Sequence, residues 1–197
     1  MPRAGLNPDA VVDAAVRVVD AGGPEALTLA AVAAQCGVAT PSLYKHVTGL
    51  PELRALLTAR IYDQLTDTVV AAVVGRGGDE ALEEMMLAYQ RYAVRHPHRY
   101  AFAPQRPSAE PVVAKAAGRF LDVVLAVLNG YDLTAEQAIH ATRVLRAAMH
   151  GFAVLHSTFE MSEDVETTQR ILIETMKSIR AAARTASSAG RGGRRGA

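Results

Sequence analysis

The stretch that most constrains this chain is Thr28–Leu53, TLAAVAAQCGVATPSLYKHVTGLPEL. Behind a capping threonine, Thr28, the apolar Leu29, Val32, Ala33 and Cys36 recur at helical spacing, and Gly37 supplies the left-handed residue on which a short helix ends. Thr40 followed by Pro41 is a cap and first-turn pair, and Leu43 and Val47 fall four residues apart on one face of the helix that follows. The other face carries Thr40, Ser42, Tyr44, Lys45 and His46. A helix this short is not stable alone in water, so the preceding helix must brace it. Two short helices across a Gly-containing turn form a helix-turn-helix, whose second helix enters the DNA major groove while the first crosses the backbone.

Over residues 7–57 the segment resembles the DNA-binding domain of the tetracycline-repressor (TetR/AcrR-like) family of bacterial regulators, through Leu43-Tyr44-Lys45-His46-Val47 above all. The resemblance implies an all-α fold, with an N-terminal three-helix helix-turn-helix domain at 1–50 followed by a C-terminal helical ligand-binding and dimerisation domain at 51–186. Residues 187–197, SSAGRGGRRGA, read as a disordered basic tail. The resemblance also implies that Thr40, Pro41, Ser42, Tyr44, Lys45 and His46 meet DNA. Thr40 and Ser42 suit base edges, Pro41 a thymine methyl, and Lys45 guanine or phosphate. For Tyr44 a phosphate contact competes with simple packing of the ring, and for Lys45 and His46 the plain alternative is a solvated face. The family often has cations where this chain has Ala30 and Leu50, so phosphate anchoring falls to residues such as Thr28, Thr48 and the amide of Gly49.

Charge gives the DNA reading little support. Within residues 1–60, Arg3, Arg17, Lys45, Arg54 and Arg60 are matched in number by Asp9, Asp13, Asp20, Glu25 and Glu52, and the whole chain carries +1. A basic footprint ordinarily supplies the non-specific part of DNA affinity. Dimerisation and amides at helix N-termini are therefore expected to carry more of the load. The 197 residues suffice for a substantial core, the N-terminus MPRAGLNPDA has no signal-peptide pattern, and no apolar run is long enough to span a membrane. Cys36 is the single cysteine and reads as a small core residue. The expected location is cytoplasmic, with no membrane partner.

Around the helix-turn-helix, Asn7-Pro8 opens a helix with an Ala10, Val11, Ala14, Val18, Val19 stripe that ends at Gly22-Gly23. A long helix from Pro51 to about Val74 carries Leu53, Leu57, Ile61, Leu65, Val69 and Val73, and at 1.5 Å per residue it is about 35 Å long, the reach of a connector. A helix at about 79–95 presents Leu82, Met85, Met86, Tyr89 and Tyr92, and a short one follows at 97–102. The His96-Pro-His98-Arg-Tyr100 cluster lacks the carboxylate or thiolate a zinc site needs, so no metal or cofactor is expected. The helix at about 109–129 contains FLDVVLAVL, apolar nearly all round, and is expected to be buried on most sides.

Thr134 and Gln137 form a capping box that opens a helix reaching about Phe159. One stripe on it is Ala138, Thr142, Leu145, Met149, Phe152, His156 and Phe159; a second is Ala141, Val144, Ala148, Gly151 and Leu155. Two stripes suggest two partners, its own domain and a neighbouring subunit. Ala148-Met149-His150-Gly151-Phe152 also resembles the Trp-His-Gly type of C-terminal domain found in part of the family, although the chain has no tryptophan. A final helix at about 162–186 would place Val165, Leu172, Ile179 and Ala182 on one stripe, with Ile171 and Met176 beside it, and complete half of a four-helix dimer interface.

The resulting expectation is a homodimeric, sequence-specific transcriptional regulator, a repressor on family grounds, that binds a palindromic double-stranded DNA operator and is released by a small apolar effector. The effector would lie among Met85, Met86, Tyr89, Phe102, Phe120, Met149, His150 and Phe152. Met and Tyr make an adaptable wall with polar tips, although the same residues also suit a plain core. No nucleophile with an adjacent base and no phosphate-binding Gly loop argues for an enzyme. The alternative is a helical protein-interaction module without specific DNA binding.

Overall fold

Asn7 caps the first helix. Its side chain accepts the Ala10 N–H at 2.8 Å and Pro8 occupies the first turn of α1, Pro8–Gly22. Val11, Val12, Ala14, Ala15, Val16 and Val19 of α1 are buried. A 3-10 turn, Pro24–Ala26, leads to Thr28, whose hydroxyl oxygen accepts the Ala31 N–H at 3.1 Å and caps α2, Leu29–Cys36. Gly37, at φ +69°, ends α2 in the left-handed region that L side chains rarely adopt. Next comes a 3-10 helix, Thr40–Lys45, and then α3, Leu50–Val73.

The remaining helices are α4 (Gly78–Arg95), α5 (Pro97–Tyr100), α6 (Pro111–Leu128), α7 (Ala135–Thr158) and α8 (Val165–Lys177), with a 3-10 turn at Asn129–Tyr131. The computed structural model describes residues 6–102, 109–158, 165–179 and 181–182. Among these every regular element is helical. The expected arm around Arg3, the Phe159 end of a stripe, the start of the last helix at 162 and the basic tail fall outside the described residues.

The chain divides into two compact units. One gathers residues 1–65 with 95–120, the other 66–94 with 121–197. Helices α3, α4 and α6 each run from one unit into the other. In the first unit α1 packs against α2 and α5, and α2 against the 3-10 helix. Leu53, Leu57, Ile61 and Leu65 of α3 are buried, as the four-residue spacing predicts.

In the second unit Ala81, Leu82, Met85, Met86, Ala88 and Tyr89 of α4 face the core, together with Leu145, Met149 and Phe152 of α7. Thr134 and Gln137 make the capping box reciprocally, at 2.9 and 3.3 Å. Two expectations need correction. Helix α6 is not buried on most sides: Val113, Ala116, Val124, Val127 and Leu128 are buried, while Val112 and Leu121 are exposed, Leu121 at 42%. In α8 the buried side chains are Ile173 and Met176, followed by Ile179, while Ala182 of the expected stripe is exposed. The expected stripe holds at Ile179, and at Met176 beside it, and fails at Ala182.

Candidate nucleic-acid interface and interior site

The 3-10 helix Thr40–Lys45 is built around one anchor. Leu43 is fully buried and Val47 nearly so, and the N–H groups of His46 and Val47 both bond to the Leu43 carbonyl, at 2.8 and 3.0 Å. The His46 bond spans three residues, so the expected α-helical turns are tighter 3-10 turns over Thr40–Lys45, and only the Val47 bond at their end spans four. Pro41 supplies no N–H, and the Ser42 N–H bonds to Ala39 instead, at 2.9 Å. With Leu43 fixed inward, Tyr44 is 57% exposed and is no part of the core. Pro41 and Lys45 are also exposed, and Thr40, Ser42 and His46 are half-buried. The six expected DNA-contacting residues of this element thus all reach solvent, Pro41, Tyr44 and Lys45 the most.

The two flanking threonines behave differently. Thr28 is exposed, and because its oxygen accepts a backbone N–H as a helix cap, its hydroxyl proton stays available to an acceptor. Thr48 gives both its donors to Glu52: the backbone N–H at 2.5 Å and the hydroxyl at 2.7 Å. Those bonds, the backbone one foremost, hold the Glu52 carboxyl below its usual range. A phosphate can take the Thr48 donors only by displacing Glu52. Sequence alone concealed this competitor, although Glu four residues after Thr at a helix start is the local signal.

Several cations of the first unit are committed. Arg60 bridges Asp9, at 2.7 Å, and Asp13, which ties α3 to α1. Arg54 lies over the Phe102 ring, 5.5 Å from its centroid. Among the described residues Lys45 makes no ion pair. Cys36 is half-buried, and desolvation pushes its thiol up, the opposite of what a reactive thiolate needs.

Among the described residues, one void gathers three of the expected effector residues. Met86, Met149 and Phe152 line a void in the second unit with Gln90, Gln169, Leu172 and Ile173; at about 10 Å³ it holds roughly one water molecule. Gln169 donates to the Gln90 side-chain oxygen beside it. Met85 and Tyr89 are buried but do not line this void, and neither does the half-buried His150, whose pKa burial pushes down. Phe102 and Phe120 belong to the first unit. Apolar spacing could not separate lining residues from core.

The same unit holds a larger crevice of about 290 Å³ between the end of α3, the start of α4 and the end of α6, lined mainly by Val70, Val73, Ala81, Val123 and Val127 with Arg76. Beside it Gly130 approaches Gly78 so closely that a Cβ on Gly130 would stand 3.2 Å from the Gly78 nitrogen. Among the described residues no group of three or more His, Cys, Asp or Glu side chains could hold a metal, and no helix is long and apolar enough to cross a membrane.

Comparison with known proteins places these features. Residues 11–46 match the family described as bacterial regulatory proteins, tetR family, and residues 82–176 match the tetracyclin repressor-like C-terminal domain. An HTH-type transcriptional regulator of Bacillus subtilis, YobS, is 34% identical over 189 residues, covering 90% of this chain and 94% of its own. One from Mycobacterium tuberculosis is 35% identical over 166 residues, 83% of this chain and 76% of its own. The HTH-type transcriptional repressor DrrR1 of Streptomyces coeruleorubidus is 31% identical over 152 residues, 77% of this chain and 54% of its own.

Among solved structures, a Rhodococcus protein superposes with a TM-score of 0.77 at 19% identity, over 89% of this chain and 95% of the other. A TetR variant of Acinetobacter baumannii, solved in complex with minocycline, superposes with a TM-score of 0.66 at 17% identity, over 90% and 96%. These two likenesses speak for the fold, while the sequence matches and the anchored, outward-facing Thr40–Lys45 element speak for the role. The chain belongs to the TetR family of helix-turn-helix transcriptional regulators and is a sequence-specific DNA-binding regulator of transcription.

Proposed function

We propose that the protein is a homodimeric repressor that reads an inverted-repeat operator with Thr40, Pro41, Ser42, Tyr44, Lys45 and His46 of each subunit and is released by a small apolar effector. The observation that carries the DNA contacts is the pairing of a buried Leu43 with an exposed Tyr44 and Lys45. This element turns its polar side chains outward and holds them by one apolar anchor. DNA binding puts the site of action in the cytoplasm, where the chromosome lies. Repression has its support in the name of the DrrR1 relative.

Dimerisation has its support in apolar side chains that one chain leaves uncovered on α7 and α8. Ile139, Val144 and Leu155 of α7 and Ile171 of α8 are about half exposed or more. A Cβ on Gly151 would meet nothing within 4 Å, so the space beside it is open to another helix. The facing stripe of α7, with Leu145, Met149 and Phe152, is buried in its own unit.

The effector belongs in this reading to the void beside Met86, Met149 and Phe152, with Met85, Tyr89 and His150 behind it. At roughly one water in volume the void must widen to admit a ligand, and methionine side chains are suited to that adjustment. The ligand must favour the released state by a few kcal/mol to empty the operator. The A. baumannii relative in complex with minocycline supports a small-molecule effector as a class.

The test is selection of duplexes from a random library by the purified chain at fixed salt, followed by a screen of apolar compounds for release of the selected duplex. An enriched inverted repeat is expected, released by a compound whose action Met149→Trp blocks and Val127→Trp, in the larger crevice, does not. A motif without inverted symmetry would overturn the dimeric reading. Loss of release with Val127→Trp alone would move the effector to the crevice.

A further inference from the structure

The His96-Pro-His98-Arg-Tyr100 cluster has no part in the DNA surface or the interior void, yet the fold gives it a defined task. Arg99 of α5 reaches the last turn of α1 with a two-pronged contact: its Nε donates to Asp20 Oδ1 at 2.7 Å and its Nη2 to Oδ2 at 2.5 Å. Its Nη1 donates to Gln64 Oε1 of α3 at 3.2 Å. His98 adds its Nδ1, 3.1 Å from the Asp20 backbone oxygen, and Tyr100 is buried. One guanidinium thus ties α5 to both α1 and α3.

Asp20 is badly placed without this partner. A carboxylate in the last turn of a helix faces the negative end of the helix dipole. Arg99 offsets that, and its hydrogen bond holds the Asp20 carboxyl below the usual range. The planar fork also fixes direction, which a lysine at this position would not do. The contact spans 79 residues of sequence. It lies inside the unit that also contains the helix-turn-helix, and the packing continues from α5 to α1, from α1 to α2, and from α2 to the 3-10 helix. A second ion pair, Arg119 to Asp63 at 2.5 Å, secures α6 to α3 in the same unit.

We propose that Arg99, from outside the helix-turn-helix, is a positioning residue for DNA reading: its fork on Asp20 fixes the angle at which α1 presents α2 and the Tyr44–Lys45 surface. The inference rests on that surface being the one that meets DNA. Segment 95–120 is then a working part of the reading unit, and the chain enters and leaves it through α4 and α6.

The experiment uses the full chain and the duplex that the wild-type protein itself selects, read by anisotropy at fixed salt, with thermal unfolding measured on every variant. Arg99→Ala is expected to weaken binding by about tenfold, and Arg99→Lys, which keeps the charge and loses the fork, by several-fold. The exchange Asp20→Arg with Arg99→Asp restores affinity to within about threefold of wild type. Repeating the selection with Arg99→Ala yields the same bases within each half-site and a wider range of half-site spacings, a change that simple loss of folded protein does not produce. Wild-type affinity in folded Arg99→Ala or Arg99→Lys, an unrestored double exchange, or an unchanged spacing range would each overturn the proposal. If Arg99→Ala is unfolded at the assay temperature, Arg99→Lys and the exchange decide. Failure of the wild-type chain to select any motif would instead overturn the underlying DNA surface.

Discussion

Leu43 and Tyr44 are neighbours in sequence and opposites in burial, Leu43 at 0% exposure and Tyr44 at 57%. Stability and recognition are therefore separable one residue apart. Leu43→Ala is expected to cost about 2–5 kcal/mol of unfolding free energy, the usual range for a large-to-small change in a core. Tyr44→Phe should leave the urea midpoint unchanged and weaken operator binding. A lowered urea midpoint for Tyr44→Phe would show that the Tyr44 hydroxyl serves the fold rather than the duplex.

Lys45 carries the uncommitted charge of this surface. Replacing it with Ala should lower the slope of log K against log salt by about one if it meets phosphate. If it reads a guanine instead, the cost is about 1–3 kcal/mol at one base position, with tolerance for other bases there. Binding unchanged on every duplex would remove Lys45 from the interface.

In the second unit the buried Tyr131 donates its hydroxyl to Asp79 Oδ1 at 2.6 Å, closing the 3-10 turn after α6 onto the first turn of α4. Burial and the adjoining carboxylate push the phenol pKa well up, so the proton stays on Tyr131 at every working pH. Tyr131→Phe should cost about 1–2 kcal/mol in urea unfolding, a typical value for a hydrogen bond to a charged group partly open to solvent. A neutral result would mean that water replaces the contact.

Acid should loosen the Arg99 fork. The Asp20 carboxyl is held below its ordinary value of 3.8 by the Arg99 hydrogen bond. A carboxylate depressed in the folded state stabilises fully above its unfolded pKa, and the contribution disappears as pH falls through the folded one. Urea midpoints of the wild-type chain should thus drop more steeply below about pH 4 than those of Asp20→Asn, the two curves converging in strong acid. Parallel curves would assign the acid sensitivity to other carboxylates.

How far the sequence predicted these features depended on whether their causes were local. Asn7, Thr28, Gly37 and the Thr134–Gln137 box announce helix ends within three residues of themselves, and the structure uses each for that purpose. The recognition element was placed correctly but given the wrong turn, because six residues leave too few i→i+4 bonds for periodicity to distinguish an α from a 3-10 helix. Apolar stripes predict the core of α3 and α4, and in α8 they predict Ile179 and Met176 but not the exposure of Ala182. Phe102 and Phe120 look like pocket residues in one dimension, yet they stand in the unit of the helix-turn-helix. The Arg99–Asp20 fork had no local signal, since its two halves come from α5 and α1.

Arg60 spends its charge on Asp9 and Asp13, and the effect reaches beyond stability. Residues 1–60, whose five basic side chains are matched by five acidic ones, supply little long-range acceleration toward the duplex and little grip on random sequence by themselves. The regulator leaves wrong sites quickly, and its occupancy of the right one is decided by fit at contact.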